Sequence, residues 1–450
     1  MNPQEVYHRI LVNLARQIRE GNIKNKEKLI RSIISECLPE KQQDPKIYQK
    51  VEKQLDYLLR ENNENPPLIE FIEEMCQECQ TSDHHPCTDV CPTGAISCFD
   101  GTHYIDRNLC VECGRCVNTC ISGAILARSE LAQVATMLKD SSINPVYAII
   151  APSFVGQFGR DVTPGILKSA LRAMGFTEVY EVALAADITT LFEAEEFRQR
   201  MEQGKKFMIT SCCCPAFIKF IEKIRPKVAN LVSPTVSPMI AMGKMLKERE
   251  KEARVVFIGP CIAKKNEAKR PDLAPAVDCV LTYKETKALL EAAEIRLDGS
   301  LGHMEMEDAS HDGRIYAHTG GVTEAIVRAV KSLNPHLKIE PVKGNGLKQC
   351  GELLEEIEKG KVKANFMEGM GCPGGCVGGP GTIIKVAEAA PYVKKFARRS
   401  KCFAAGDNPT AHGWMEDYYK MTDHLSEKMA MSGRKVPEHP EVATEYIPPS

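Results

Sequence analysis

The sequence lacks a long apolar run, a net charge of consequence and a visible export signal. No stretch of its 450 residues approaches the roughly 18 apolar residues of a bilayer span, so no membrane segment is expected. Lysine plus arginine (58) nearly balances aspartate plus glutamate (60), which leaves no global field to draw in nucleic acid or an anionic membrane. The N-terminal Met-Asn-Pro-Gln-Glu-Val-Tyr-His-Arg has no apolar segment leading to a small-residue cleavage site, and the expectation is a cytoplasmic location. Hydrophobic content of 43% and charged content of 26% are those of a soluble globular protein. What the chain has in excess is cysteine, 19 in all. In a chain of this length without an export signal, tightly clustered cysteines argue for metal rather than disulfides.

The length predicts about two to four domains. Residues 1–66 hold only Cys37 and carry a helical apolar period in Val6, Ile10, Leu11, Leu14 and Ile18, then in Leu29, Ile30, Ile33 and Ile34, which predicts a small helical domain. Asn62-Asn63-Glu64-Asn65-Pro66-Pro67 should break the helix before it and mark a boundary. Residues 67–128 form a cysteine-dense unit, and Ser129 to Leu138 reads as a connecting helix. Within residues 129–395, short apolar runs alternate with helical patterns from about residue 145, which predicts parallel strands with crossover helices. The runs are Val146–Ile150, Phe207–Ile209 and Arg254–Ile258. They lead into Ala151-Pro152-Ser153, Cys212-Cys213-Cys214-Pro215 and Gly259-Pro260-Cys261, where open α/β sheets place their ligands, beyond the strand carboxyl ends. Residues 396–450 form a mixed tail with a helical stretch near Trp414 to Met429 and a proline-rich end.

Within the cysteine-dense unit, Cys110-x2-Cys113-x2-Cys116-x3-Cys120 matches the bacterial ferredoxin run, in which the fourth cysteine reaches the other 4Fe-4S cluster. Cys76-x2-Cys79-x7-Cys87-x3-Cys91-Pro92 is the same pattern with a longer second gap. The halves repeat further, since Cys91-Pro92-Thr93-Gly94-Ala95-Ile96 is echoed by Cys120-Ile121-Ser122-Gly123-Ala124-Ile125. By that logic Cys76, Cys79, Cys87 and Cys120 hold one cluster, and Cys110, Cys113, Cys116 and Cys91 hold the other. A zinc site or disulfides are the alternatives, although zinc prefers separated cysteine pairs. Cys98 has no slot in the pattern and reads as a packed core thiol.

Three further motifs follow: Thr210-Ser211-Cys212-Cys213-Cys214-Pro215-Ala216-Phe217, Pro260-Cys261-Ile262-Ala263-Lys264-Lys265-Asn266-Glu267, and Met370-Gly371-Cys372-Pro373-Gly374-Gly375-Cys376-Val377-Gly378-Gly379-Pro380-Gly381. The glycines of the last let backbone approach a bulky ligand, and the loop lacks the Gly-Lys-Ser/Thr ending of a phosphate loop. In this order, behind a two-cluster module, the motifs resemble the three H-cluster motifs of the FeFe hydrogenases. The likeness covers roughly residues 68–400, with smaller matches in Thr319-Gly320-Gly321-Val322 and Gly344-Asn345-Gly346-Leu347-Lys348. It implies an α/β catalytic core of parallel sheets with flanking helices, an α+β ferredoxin-like domain, the small N-terminal helical domain, and a tail resembling the hydrogenase small-subunit segment. It also implies that Cys214, Cys261, Cys372 and Cys376 hold a 4Fe-4S cubane, with Cys376 bridging to a diiron subsite that carries CO, cyanide and azadithiolate.

The same resemblance assigns Lys264 as donor to a cyanide, Ala151, Pro152 and Ser153 as walls or hydrogen-bonding groups, and Met370 as a soft contact beside the irons. For proton delivery it implies Cys213, Glu193, Ser233, Glu196 and Arg200. The spacing of Glu193, Glu196 and Arg200 puts them on one helix face, where a surface salt-bridge stripe would look identical. The chain departs from the best-known members at Gly259, which stands where they have Met, at Met239, at Phe217 and in the extra Cys212. The expected activity is reversible proton reduction to H2, with ferredoxin or flavodoxin as electron partner and maturation proteins to load the diiron subsite. Two other readings stay open, a hydrogen-sensing relative and a non-catalytic protein that helps assemble iron-sulfur clusters.

Overall fold

The computed structural model describes residues 3–21, 26–37, 45–59, 67–76, 85–99, 102–140, 144–210 and 213–421. Cys79, Cys212, the polar stretch Asn62 to Pro66 and everything beyond Met421 lie outside the described residues.

Three helices, Pro3–Glu20, Lys26–Cys37 and Pro45–Leu59, make up the N-terminal segment. The residues picked out by the helical period are the buried ones: Ile10, Leu11, Leu14 and Ile18, then Leu29, Ile30, Ile33 and Ile34. They share one apolar cluster with Leu131, Val134 and Leu138 of helix Leu131–Lys139 and with Leu289 and Leu290 of helix Tyr283–Ala292. The N-terminal helices therefore complete a core that they hold in common with the α/β region.

Two short antiparallel pairs frame the cysteine-dense unit: β1 (Ile69–Phe71) beside β4 (Ile125–Ala127), and β2 (Ile96–Phe99) beside β3 (Thr102–Ile105). The sequence repeat reappears in the fold. Each half passes through a short helix, Pro86–Asp89 or Arg115–Thr119, to its last cysteine, Cys91 or Cys120, and the echoed Ile96 and Ile125 then open a strand.

The remaining strands are β5 (Val146–Ile150), β6 (Glu178–Glu181), β7 (Met208–Thr210), β8 (Arg254–Gly259), β9 (Cys279–Thr282), β10 (Pro341–Asn345) and β11 (Phe366–Met370). They sort into two all-parallel sheets, ordered β6-β5-β8-β9 and β10-β11-β7. Parallel sheets are covered on both faces and read as continuous apolar runs, which is why β5, β7 and β8 are legible in the sequence. The long helix Val182–Glu202 packs against helices Pro238–Arg249, His311–Ile315, Gly321–Leu333 and Pro409–Met421. Its first half is buried all round, as a central helix must be. Parallel pairing also fixes where the chemistry falls. The carboxyl ends of β5, β7, β8 and β11 carry Ala151-Pro152, Cys213-Cys214, Pro260-Cys261 and Gly371-Cys372. No helix among the described residues is long and apolar enough to cross a membrane.

Candidate metal centre

The loops leaving those four strands enclose one cavity. Cys214, Cys261, Cys372 and Cys376 all line it, with Cys213, Lys264 and Met370 on the same wall and Ala151 and Pro152 closing one side. Ser153 is buried but bonded elsewhere, its Oγ 2.7 Å from Tyr283 Oη, and Tyr283 donates to the Ala151 carbonyl at 3.2 Å. Local structure fixes Cys214: it caps helix Pro215–Ile224, with Pro215 at the first helical position, where a missing N–H is not needed. The amides of Phe217 and Ile218 donate to its carbonyl, and Gly371 N–H donates to its Sγ at 3.3 Å.

The four thiols are free of disulfides. Burial pushes Cys214 up to about 11 and Cys261 to about 12, and lifts Cys372 and Cys376 well above the ordinary range. Neighbouring cysteines add to the effect: Cys372 feels Cys261, Cys214 and Cys376. Such a set cannot ionise together without a cationic core, and thiolates are the donors that iron-sulfur clusters take. The donor set fits a cysteine-bound cubane. Lys264 supplies the one buried ammonium on the wall, held by Glu267 Oε2 at 2.8 Å and Ser237 Oγ at 3.3 Å. Burial works against its charge, but Glu267 and the thiols outweigh burial and raise its pKa.

The glycine-rich loop earns its composition from contact with other backbone as well as from the cavity. Gly375 has φ 87°, and a Cβ there would lie 2.6 Å from Thr319 N. Gly259 answers to Phe257, whose ring would be 2.4 Å from a Cβ at that position. Phe257 and the fully buried Met239 both line the cavity, so two of the departures noted in the sequence reshape its wall.

The polar side chains form an ordered series from the cavity outward. Cys213 shares an apolar cluster with Ala194 and Phe197 of the long helix that also carries Glu193. Glu193 is fully buried and accepts from Thr210 Oγ1 at 2.7 Å. Ser233 Oγ donates to Glu196 Oε2 at 2.5 Å, and Glu196 pairs with Arg200 at 2.7 Å. Arg200 also donates to the carbonyls of Leu231 and Val232, both at 3.1 Å. Side-chain exposure rises to 19% for Glu196 and 12% for Arg200, so the series runs from a dry interior to the rim, unlike a solvated helix stripe.

In the ferredoxin-like unit, Cys91, Cys110, Cys113 and Cys116 line one cavity together, the grouping that the crossed ligand pattern predicts. Cys76 and Cys120 share an apolar cluster, and Cys87 lies in the adjoining one with Cys120 at its edge. Cys98 is not the packed core thiol expected from the sequence. It is half-buried beside two histidines, because the register of the β2–β3 hairpin sets it opposite His103.

Cys113 packs in the same cluster as Cys214, and its charge is felt at Cys372, so the two cysteine cavities are neighbours. Glu112 sets that proximity. It adopts φ 57° and its Oε2 accepts from Lys219 Nζ and from Asn266 Nδ2, the latter at 2.6 Å. Lys223 adds donations to the carbonyls of Arg107 and Cys110 at 2.6 and 2.9 Å. Tyr283, Thr210 and Glu112 have no sequence pattern to mark them, since each acts across segments distant in the chain; Glu267, three residues after Lys264, has a local signal.

The family model for the iron only hydrogenase large subunit, C-terminal domain, matches residues 144–380. The chain belongs to this iron-only hydrogenase family. A second model, the LdpA Fe-S cluster-binding domain, matches residues 78–131. Among relatives, the NADP-reducing hydrogenase subunit HndD of Solidesulfovibrio fructosivorans is 29% identical over 381 residues, covering 68% of this hydrogenase-family chain and 62% of its own length. The chain thus spans less than two thirds of that relative. Cytosolic iron-sulfur assembly component 3 of Mus musculus is 25% identical over 344 residues, covering 62% of the chain and 72% of the relative. The solved [FeFe]-hydrogenase HydA1 of Chlamydomonas reinhardtii superposes with a TM-score of 0.55 at 23% identity, over 66% of this chain and 96% of that one, a likeness of fold.

If Glu112 holds the two cysteine cavities together, Glu112→Ala should speed amide exchange across residues 107–116 roughly tenfold, the scale of a hydrogen bond to a partly exposed charge. Hydrogen exchange by mass spectrometry reads this directly, and unchanged exchange would remove Glu112 from that role.

Proposed function

We propose that this hydrogenase-family chain catalyses the reversible reduction of protons to H2, taking electrons from a ferredoxin or flavodoxin. The supporting observation is the single cavity on which Cys214, Cys261, Cys372 and Cys376 meet the Cys213 thiol and the Lys264 ammonium. In this reading those four cysteines would hold a 4Fe-4S cubane with an attached diiron subsite bearing CO, cyanide and azadithiolate, Cys376 being the cysteine shared between the two parts. When bound, that group supplies the redox-active metal at which protons and electrons are combined. Lys264, fixed by Glu267 and Ser237, would be the donor available to a cyanide of that group, while Met370 would give a soft contact and Ala151 and Pro152 would exclude water. Ser153 acts one step back, through Tyr283.

Protons travel between solvent and Cys213 by way of the part-buried Arg200 and Glu196 and the fully buried Ser233 and Glu193. Cys76, Cys79, Cys87 and Cys120 would hold one cluster and Cys91, Cys110, Cys113 and Cys116 the other, which would supply electron transfer toward the cavity that neighbours Cys113. Maturation proteins load the diiron group, and the protein works in the cytoplasm. Similarity to an iron-sulfur assembly component favours a second reading, in which the chain holds clusters without turning over H2. The buried Lys264 and Met370 weigh for the first, because a cubane alone needs neither on its wall.

Protein made without maturation factors should carry about twelve irons, four for each of three clusters, and show no CO or CN bands. Iron near eight, with no third cluster by electron paramagnetic resonance, would count against Cys214, Cys261, Cys372 and Cys376.

The adjacent thiols should fail differently. Cys214→Ala should lose the cavity's cluster, whereas Cys213→Ala should keep the CO and CN spectrum of matured protein and cut turnover roughly 100-fold or more, from the lower end of the usual range for a positioned acid-base group upward. Cys213→Asp should recover part of the loss. Full turnover in both Cys213→Ala and the Cys212→Ala, Cys213→Ala double variant would reject this proton entry.

A further inference from the structure

Three donor side chains meet on the ferredoxin-like unit outside both cysteine cavities. Cys98 of β2 and His103 of β3 are directly opposed across the antiparallel pair, so their side chains leave the hairpin on one face. His85 enters from the turn before helix Pro86–Asp89, and its ring meets that of His103 edge-on, with centroids 4.6 Å apart. One ligand atom from each of His85, Cys98 and His103 lies within 4.8 Å of the others. Strand register and a turn therefore bring together three groups that no spacing rule in the sequence connects.

The histidines are also incompletely satisfied. His103 is 8% exposed, and its Nε2, like His85 Nδ1, is buried with no hydrogen-bond partner among the described residues. Buried polar atoms in folded proteins nearly always have a partner, so two such nitrogens on adjoining rings call for a ligand. The other nitrogen of His103, Nδ1, lies 3.1 Å from Cys76 Sγ. A proton on Nδ1, donated to that sulfur, leaves the Nε2 lone pair available for a metal, the arrangement by which an outer hydrogen bond fixes a ligating tautomer.

We propose that His85, Cys98 and His103 bind one zinc-type divalent cation through two imidazole nitrogens and a thiolate. Nitrogen and sulfur donors of this kind suit zinc, with Zn–N near 2.0–2.1 Å and Zn–S near 2.3 Å. A tetrahedral centre of those bond lengths sets its donors about 3.5 Å apart, so the three close by at most about 1.3 Å. Water takes the fourth position, which leaves Cys76, Cys79, Cys87 and Cys120 to the first cluster. The ion joins the β2–β3 hairpin to the segment entering Cys87, and His103 links it to Cys76. It is a staple for the outer cluster's ligands, and its binding energy contributes to the folding of that unit.

The test uses the full chain, reconstituted with iron and sulfide, given zinc ions and freed of excess by gel filtration. Elemental analysis should find one zinc per chain beside an unchanged iron content. Zinc-edge X-ray absorption should give a shell of two nitrogens and one sulfur with a light fourth atom. Cys98→Ser combined with His85→Ala should weaken zinc binding roughly 100-fold or more, beyond the cost of losing an outer partner of a ligand, while iron stays constant. No zinc above the level of that double variant overturns the proposal. So does an all-sulfur zinc shell, which would put the ion among the cluster cysteines, or a loss of about four irons in the variant, which would make Cys98 or His85 a cluster ligand. The absorption measurement needs no variant, so a variant that fails to fold does not decide the matter.

Discussion

Four thiols gathered on one apolar cavity are the constraint on which the rest of this structure turns. Desolvation raises the pKa of each thiol, and every thiolate formed would raise its neighbours further. Only a cationic centre resolves that conflict. The fold brings the conflict about deliberately, through two parallel sheets whose carboxyl ends face one another across the cavity. The long helix between them carries the polar series from Glu193 to Arg200, and the buried Lys264 balances part of the negative charge a thiolate cluster would bring.

The ferredoxin-like unit is placed by charge rather than by apolar contact alone. Glu112, lying between two cysteines of its second set, accepts from Lys219 and Asn266, each five residues beyond a motif cysteine, Cys214 or Cys261. One carboxylate thus ties the electron-carrying unit to two of the loops that build the cavity, and Lys223 grips the same ligand loop through its backbone. This explains how Cys113 comes to pack with Cys214 although the two belong to different units.

The cysteine positions were legible in the sequence because ligand spacing is local: three or four residues decide a cluster loop, and the crossed set Cys91, Cys110, Cys113 and Cys116 lines one cavity as that spacing requires. Strands β5, β7 and β8 were legible because buried parallel strands are apolar throughout. Strand β10, Pro-Val-Lys-Gly-Asn, was not, since it is mostly exposed and contains proline and glycine. The N-terminal helices declared their apolar faces but not what covers them, because Leu131, Leu289 and Leu290 lie far along the chain. Tyr283 and Glu112 were hidden for the same reason. Cys98 was misread as core because its register partner His103 and its neighbour His85 become visible only once the hairpin is formed.

The central claim is that the cavity holds a diiron subsite and not a cubane alone. An infrared spectrum of the chain produced together with hydrogenase maturation proteins tests it most directly. The account predicts stretching bands of both CO and CN, accompanied by H2 evolution from a chemical reductant and a low-potential mediator. Absence of those bands, in protein whose three iron-sulfur clusters are intact and whose maturation proteins load a known hydrogenase in parallel, would contradict it and favour the assembly-protein reading.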